Sequence, residues 1–188
     1  VPVPVGSVAA ADLHRELEAL LDDALALVPE PVLTGRAEAI RRELAQVAAL
    51  GTLRTQLRHG DLHVGQILRA GDTLVVTDFD GDPLALPTLV NRFGPVERDL
   101  ASLVQSVDHV MRVVARRRPD WSDALDDLAR VASVTARDAF CQVPGIVIEP
   151  RLVRPLRIAQ ELHEYVYAVR HLPHWRYVPN SSLPALVP

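Results

Sequence analysis

The sequence predicts a mainly α-helical protein with one small β-hairpin, an α+β arrangement, and three observations carry that expectation. Apolar residues recur at helical spacing through most of the 188 positions. One short stretch, residues 66–77, is instead β-branched and broken by a turn. Prolines and glycines fall between the periodic segments and mark their ends. A hydrophobic fraction of 48% and a net charge of −4 suit a folded domain with a proper core.

Residues 1–10 form a Val/Pro-rich lead, with Pro2 and Pro4 favouring extended backbone, and residues 11–188 form the domain. A first helix is expected over 9–28, because Leu13, Leu17, Leu20, Ala24 and Val28 share one face; Pro29 and Pro31 stop it. A second is expected over 36–50, with Ile40, Leu44 and Val47 apolar and Gly51 as its stop. Residues 55–60 read as a short strand entering a loop at His59. Residues 66–69 and 73–77 flank the turn Ala70-Gly71-Asp72 and predict the hairpin. Residues 80–95, with Gly81, Pro83, Pro87, Gly94 and Pro95, read as a loop. Three long helices should follow. The first covers 96–117. The second covers 122–142, with Ser122 as N-cap. The third covers 151–171, with Pro155 offering a later start. Pro173, Pro179 and Pro184 predict an irregular tail.

Composition excludes several function classes. The charge balance gives no reason to expect nucleic acid or an anionic membrane as partner. No apolar run approaches the length of a bilayer span, and residues 1–6 lack a signal-peptide pattern. Cys141 is the single cysteine, so no internal disulfide forms, and the cytoplasm is the expected location.

The chemistry concentrates in two motifs. Asp61 is followed five residues later by the amide of Gln66, and twelve residues after that by Asp78 within Asp78-Phe79-Asp80. Phosphotransferases of the kinase type use this order. One aspartate accepts the proton of the attacking hydroxyl, and an amide and a second aspartate hold Mg²⁺ against the phosphates of ATP. Asp78 follows Leu74-Val75-Val76, which predicts a carboxylate at a buried strand end that needs a cation for company. Asp80 and Asp82 bring three carboxylates within five residues, a density that Mg²⁺ or solvent must neutralise. His59, Asp61 and His63 also read as a His-x-Asp-x-His ligand set for a transition metal, although no second histidine cluster with ligand spacing follows. Otherwise His59 braces the loop and His63 faces the substrate. Arg98-Asp99 reads as a structural ion pair or cap, and Arg116-Arg117-Arg118 as a solvated helix end. Glu161, Glu164 and Tyr165 share a face, as they would on an exposed helix too. Trp175 and Tyr177 either staple the tail to the core or wall a sugar site.

The motifs HGDLHVGQIL (59–68), DFDGDP (78–83), ERDLASLVQSVDHV (97–110) and HEYVYAVRHLPHWRYVP (163–179) resemble the aminoglycoside-phosphotransferase-like kinases, and among them the maltokinase and glucosamine kinase group. The resemblance implies the C-terminal lobe of a protein-kinase-like fold, with the catalytic loop at 59–66 and the metal motif at 78–83. It implies Asp61 as catalytic base, Gln66, Asp78 and Asp80 as Mg²⁺ ligands, and ATP as phosphate donor. It places His63, Asp82, Glu164 and Trp175 near a small-molecule sugar. Ala168 stands where the maltokinase pattern has a second glutamate, and Leu172-Pro173 where it has Arg-Pro. These departures favour glucosamine or a related monosaccharide, with maltokinase as one alternative and a non-catalytic remnant or binding module as another.

All 20 basic residues are arginine, and no Gly-x-Gly occurs. A kinase site also uses a phosphate-anchoring lysine and a glycine-rich loop. The expectation is therefore an absent N-terminal lobe, with nucleotide contacts that these residues do not supply. Mixed with Mg-ATP and glucosamine, the 188 residues by themselves should bind nucleotide poorly and turn over negligibly; robust sugar phosphorylation by them alone contradicts this reading.

Overall fold

In the computed structural model, residues 5–28, 30–80 and 93–188 are described. Pro2, Pro4, Pro29, Gly81, Asp82, Pro83 and Pro87, on which several expectations rest, lie outside them.

The lead does not stand apart from the domain. Val5–Ala9 is a strand (β1) that pairs antiparallel with Thr52–Leu57 (β2), in a register running from Val5 opposite Gln56 to Ala9 opposite Thr52. Phe93–Gly94 (β5) adds a short third strand on the other side of β2. The lead carries no alternating pattern because only Val8 of β1 is even partly buried. Between β1 and β2 run Ala10–Leu27 (α1), the single turn Pro31–Thr34 (α2) and Ala37–Ala48 (α3). Pro31 occupies the first turn of α2, where a missing N–H costs nothing. Gly51, at φ 74°, turns the chain out of α3 and into β2.

The hairpin forms as the sequence predicts. Ile67–Ala70 (β3) pairs with Thr73–Val76 (β4) around Gly71-Asp72. Its surroundings differ from the expectation, since Leu74 is 68% exposed and the whole of β4 lies open.

The helical body follows as Glu97–Arg117 (α4), Ser122–Gln142 (α5), Pro150–His171 (α6) and Tyr177–Leu186 (α7). Ser122 does not cap α5; it is the helix's first residue, entered from a 3₁₀ turn at Pro119–Trp121. Helix α6 begins at Pro150, with the Glu149 side chain accepting from the Arg151 N–H, and continues through Pro155. An internal proline costs on the order of 3 kcal/mol. Leu152, Leu156, Ile158 and Ala159, all buried around it, offset that cost. The tail is ordered: a 3₁₀ turn at Pro173–Arg176 leads into α7, which buries Val178, Leu183 and Leu186. Pro179 falls in the first turn of α7, where the rule that reads proline as a breaker does not apply.

Helix α6 is the hub, packing against α1, α3, α4 and α7, while α5 lies along α4. The core joins Leu13, Leu17 and Leu21 of α1, Ile40 and Leu44 of α3, and Leu162 and Tyr165 of α6. Arg41 ties α3 to α1 through Glu18 and Asp22, and Arg176 ties the tail to Glu30. Arg116 is not simply solvated, since its guanidinium lies 4.1 Å from the centre of the Tyr177 ring.

Leu162 is fully buried and Leu74 mostly exposed. Leu162→Ala should therefore cost about 2–5 kcal/mol in urea unfolding. Leu74→Ala should stay within about 0.5 kcal/mol. Equal losses at the two sites contradict this packing scheme.

Candidate active site

The loop after β2 carries the first motif, and α4 holds it in place. The Asp99 carboxylate accepts from two consecutive backbone amides, His59 N–H at 2.7 Å and Gly60 N–H at 3.1 Å. Seven residues along the same helix, Ser106 accepts from Val64 N–H at 3.0 Å. Asp99 and Ser106 thus bracket Asp61. Gly60, at φ 94°, turns the backbone between them. Gly65 is needed for a different reason: a Cβ there would sit 2.8 Å from the His63 ring, whose Nδ1 accepts from the Gly65 N–H.

His59 is buried, and both ring nitrogens are engaged, Nε2 with the Thr77 carbonyl at 2.8 Å and Nδ1 with the Asp61 N–H at 3.3 Å. That commitment fits a brace and leaves neither nitrogen for a metal. Among the described residues no group of three His, Cys, Asp or Glu side chains forms a metal cage. The brace also joins the two motifs, because Thr77 N–H donates to the Gln66 carbonyl at 2.9 Å. One residue on, the Gln66 amide donates to Asp78 Oδ2 at 2.9 Å. The two groups expected to share an ion therefore touch. Asp78 adopts φ 63°, left-handed backbone that non-glycine residues seldom occupy, which aims its carboxylate back at Gln66. Contrary to the expected buried strand end, Asp78 is exposed, because the apolar run before it faces outward on the hairpin. Asp80 is exposed two residues on, and Asp82 lies outside the described residues.

Asp61 and His63 open onto a cleft of about 730 Å³ between the loop, α4, α6 and the tail turn. Its far wall carries Glu164 and Trp175, and the indole N–H donates to Glu164 Oε2 at 3.1 Å. Burial pushes the Glu164 carboxyl above the ordinary glutamate value, against the opposing pull of His109 and the indole. The face bearing Glu161, Glu164 and Tyr165 is turned inward, not exposed. Tyr165 is fully buried, its hydroxyl on Asn180 at 2.8 Å.

The structure thus brings Asp61, His63, Glu164 and Trp175 onto one cleft and sets Gln66 against Asp78. Sequence reasoning missed four contributors, one of them the Ser106 anchor. Asp99 serves the loop and not Arg98, which pairs with Glu16 instead. Gln105 and His109 line the cleft floor. The available signal was a row of polar side chains at helical spacing on α4, Asp99, Ser102, Gln105, Ser106 and His109.

Asp99→Ala strands two amides in a half-dry loop and should cost about 2–5 kcal/mol, whereas Asp99→Asn, which keeps one acceptor, should cost less. Urea unfolding and hydrogen exchange at His59 and Gly60 check this. Unchanged exchange at both amides contradicts the anchoring role.

No family model matches the sequence. The chain is 39% identical over 204 aligned positions to the glucosamine kinase of Streptacidiphilus jiangxiensis, covering 100% of this chain and 44% of that protein. It is 38% identical over 161 positions to the glucosamine kinase of Mycolicibacterium smegmatis (strain ATCC 700084 / mc(2)155), covering 83% of this chain and 40% of that one. A solved glucosamine kinase in complex with glucosamine, ADP and inorganic phosphate superimposes with a TM-score of 0.85 over 98% of this chain and 47% of its own, at 38% identity. A second crystal form matches with a TM-score of 0.86. The chain spans under half the length of the curated relatives it matches, and it is similar in sequence and fold to that part of the glucosamine kinases.

Proposed function

We propose that this chain carries the catalytic loop and acceptor cleft of an ATP-dependent sugar kinase. The reaction transfers the γ-phosphate of ATP to a hydroxyl of glucosamine or a related monosaccharide. The observation that carries the proposal is the contact of Gln66 with Asp78, laced through Thr77 to the loop that sets Asp61 on the cleft. The names of the relatives, and a solved relative described as a complex with glucosamine and ADP, support the acceptor class.

In this reading the sugar lies between Asp61 and the Glu164–Trp175 wall. Asp61 accepts the hydroxyl proton while the new O–P bond forms and the bond from the γ-phosphorus to ADP breaks. The Gln66 carbonyl oxygen and the carboxylates of Asp78 and Asp80 are hard oxygen donors. The contact with Asp78 runs through the Gln66 Nε2–H, so the two side chains are adjacent, and turning the amide to present Oε1 would let one Mg²⁺ meet both. Bound there, Mg²⁺ would neutralise charge on the nucleotide phosphates. On the acceptor side the indole N–H takes one Glu164 oxygen and leaves the other for an ammonium. The indole face can pack on the C–H face of a sugar ring. His63 and Asp82 complete the proposed acceptor contacts. The N-terminal lobe and the cytoplasmic setting belong to this proposal too.

A chimera in which this chain replaces the matching portion of the Streptacidiphilus jiangxiensis enzyme tests the reading. It should phosphorylate glucosamine in preference to glucose and maltose. Asp61→Asn should lower kcat by about 10²–10⁴-fold. A folded chimera that binds ATP and phosphorylates no sugar rejects the proposal. Glu164→Gln should raise KM for glucosamine by about 5–100-fold and leave glucose nearly unchanged, the loss of one desolvated ion pair. Glucosamine KM should also rise as pH falls through the Glu164 carboxyl, and that rise should begin above the pH at which an ordinary glutamate protonates, because burial raises this one. Equal KM losses for both sugars in Glu164→Gln would make Glu164 a hydroxyl acceptor.

A further inference from the structure

A second polar assembly lies behind the cleft floor, and the proposed chemistry does not use it. Gln105 and His109 sit one turn apart on α4, and both line the cleft. Arg157 and Glu161 sit one turn apart on α6, directly behind. The Arg157 Nε donates to Gln105 Oε1 at 3.0 Å, and the Gln105 amide in turn donates to Glu161 Oε1. His109 Nε2 meets the same oxygen at 3.0 Å. Glu161 is fully buried, and its Oε2 has no hydrogen-bond partner.

A fully buried carboxylate is costly unless its partners compensate it. Gln105 gives a neutral hydrogen bond and the Arg157 charge acts on Glu161 without a direct bond to it, so His109 is the one cationic group in contact with this oxygen. Gln105 is fixed in one amide orientation by having an Arg donor on one side and a carboxylate on the other. His109 has spent Nε2 on Glu161, so Nδ1 is the nitrogen left for an occupant of the cleft.

We propose that Glu161 is a positioning residue that holds His109 as an imidazolium in the cleft wall, making Nδ1–H a fixed donor to a sugar oxygen. The sugar part of this inference rests on the acceptor proposed above. It divides the cleft by charge. The floor at His109 accepts an oxygen and repels an ammonium, and the wall at Glu164 accepts the ammonium.

The surroundings agree. Burial works to lower the His109 pKa, but Glu161, with Glu164 and Asp108 behind it, outweighs burial and raises it. The other charges nearby are His163 on α6, Asp61 and His63 on the loop, and Arg112, which holds Asp108 and reaches Asp126 on α5. Donation from Nδ1 to an oxygen is complete below the raised pKa and is lost as pH rises through it.

The test uses glucose, which has no titrating group, and glucosamine as probes of the 188-residue chain. The His109 Cε1–H resonance is followed by NMR from pH 5 to 9, with His109→Gln giving its assignment. In the wild type His109 should titrate above an ordinary imidazole, glucose should shift its resonance, and glucose affinity should fall about three- to tenfold across that titration. In Glu161→Gln both midpoints should move to lower pH together. In His109→Gln the fall should vanish, which keeps the test available if Glu161→Gln does not fold. Sugar binding with His109 unshifted, or a glucose pH profile identical in wild type and Glu161→Gln, overturns this inference and leaves the acceptor proposal standing. Failure of both sugars to bind the cleft overturns the two together.

Discussion

The site depends on one carboxylate. The loop that carries Asp61 contributes no strand or helix of its own between β2 and the 3₁₀ turn at Val64–Gln66. Its backbone is fixed from outside, by Asp99 through two amides and by Ser106 through a third. Both anchors stand on α4, and α4 is seated on α6, the hub of the core. A displacement of α4 would therefore move Asp61 relative to Glu164. This is how a small helical body holds a loop side chain in fixed geometry.

The second half of the arrangement is a relay of short links. His59 reaches Thr77, Thr77 reaches Gln66, and Gln66 reaches Asp78. Each link is modest, about 0.5–1.5 kcal/mol for a typical hydrogen bond. Together they fix an exposed hairpin that has little packing beneath it. Asp78 at positive φ fits this scheme, since unfavourable backbone persists where surrounding bonds over-determine it.

Much of this was legible in the sequence, for identifiable reasons. Helices α1, α3, α4 and α6 announce themselves because each buries an apolar face, α5 because Pro119 and Pro144 flank an unbroken run, and the hairpin because its turn is a two-residue Gly-Asp. Spacing alone singled out Gln66 and Asp78, and the structure sets the two side chains in contact. Three features were not legible. Strand β1 has little burial to impose alternation, so only its partner β2 reveals it. Helix α7 is hidden by Pro179, which falls in its first turn, and by Pro184, which lies inside it. Asp99 looked like a helix-start residue pairing with Arg98, because its two amide partners lie 40 and 39 positions away. Long-range polar anchors leave no local pattern.

We propose that Gln66 and Asp78 form a divalent-ion site beside an amino-sugar cleft bounded by Asp61, Glu164 and Trp175. Paramagnetic broadening by Mn²⁺, read by NMR on the chain with glucosamine present, tests it most directly. The amides of Gln66, Thr77 and Asp78 should broaden first. The bound sugar's protons should broaden next, and both effects should disappear in Asp78→Asn. Broadening centred elsewhere, or sugar protons untouched by the ion while glucosamine occupies the cleft, would contradict it.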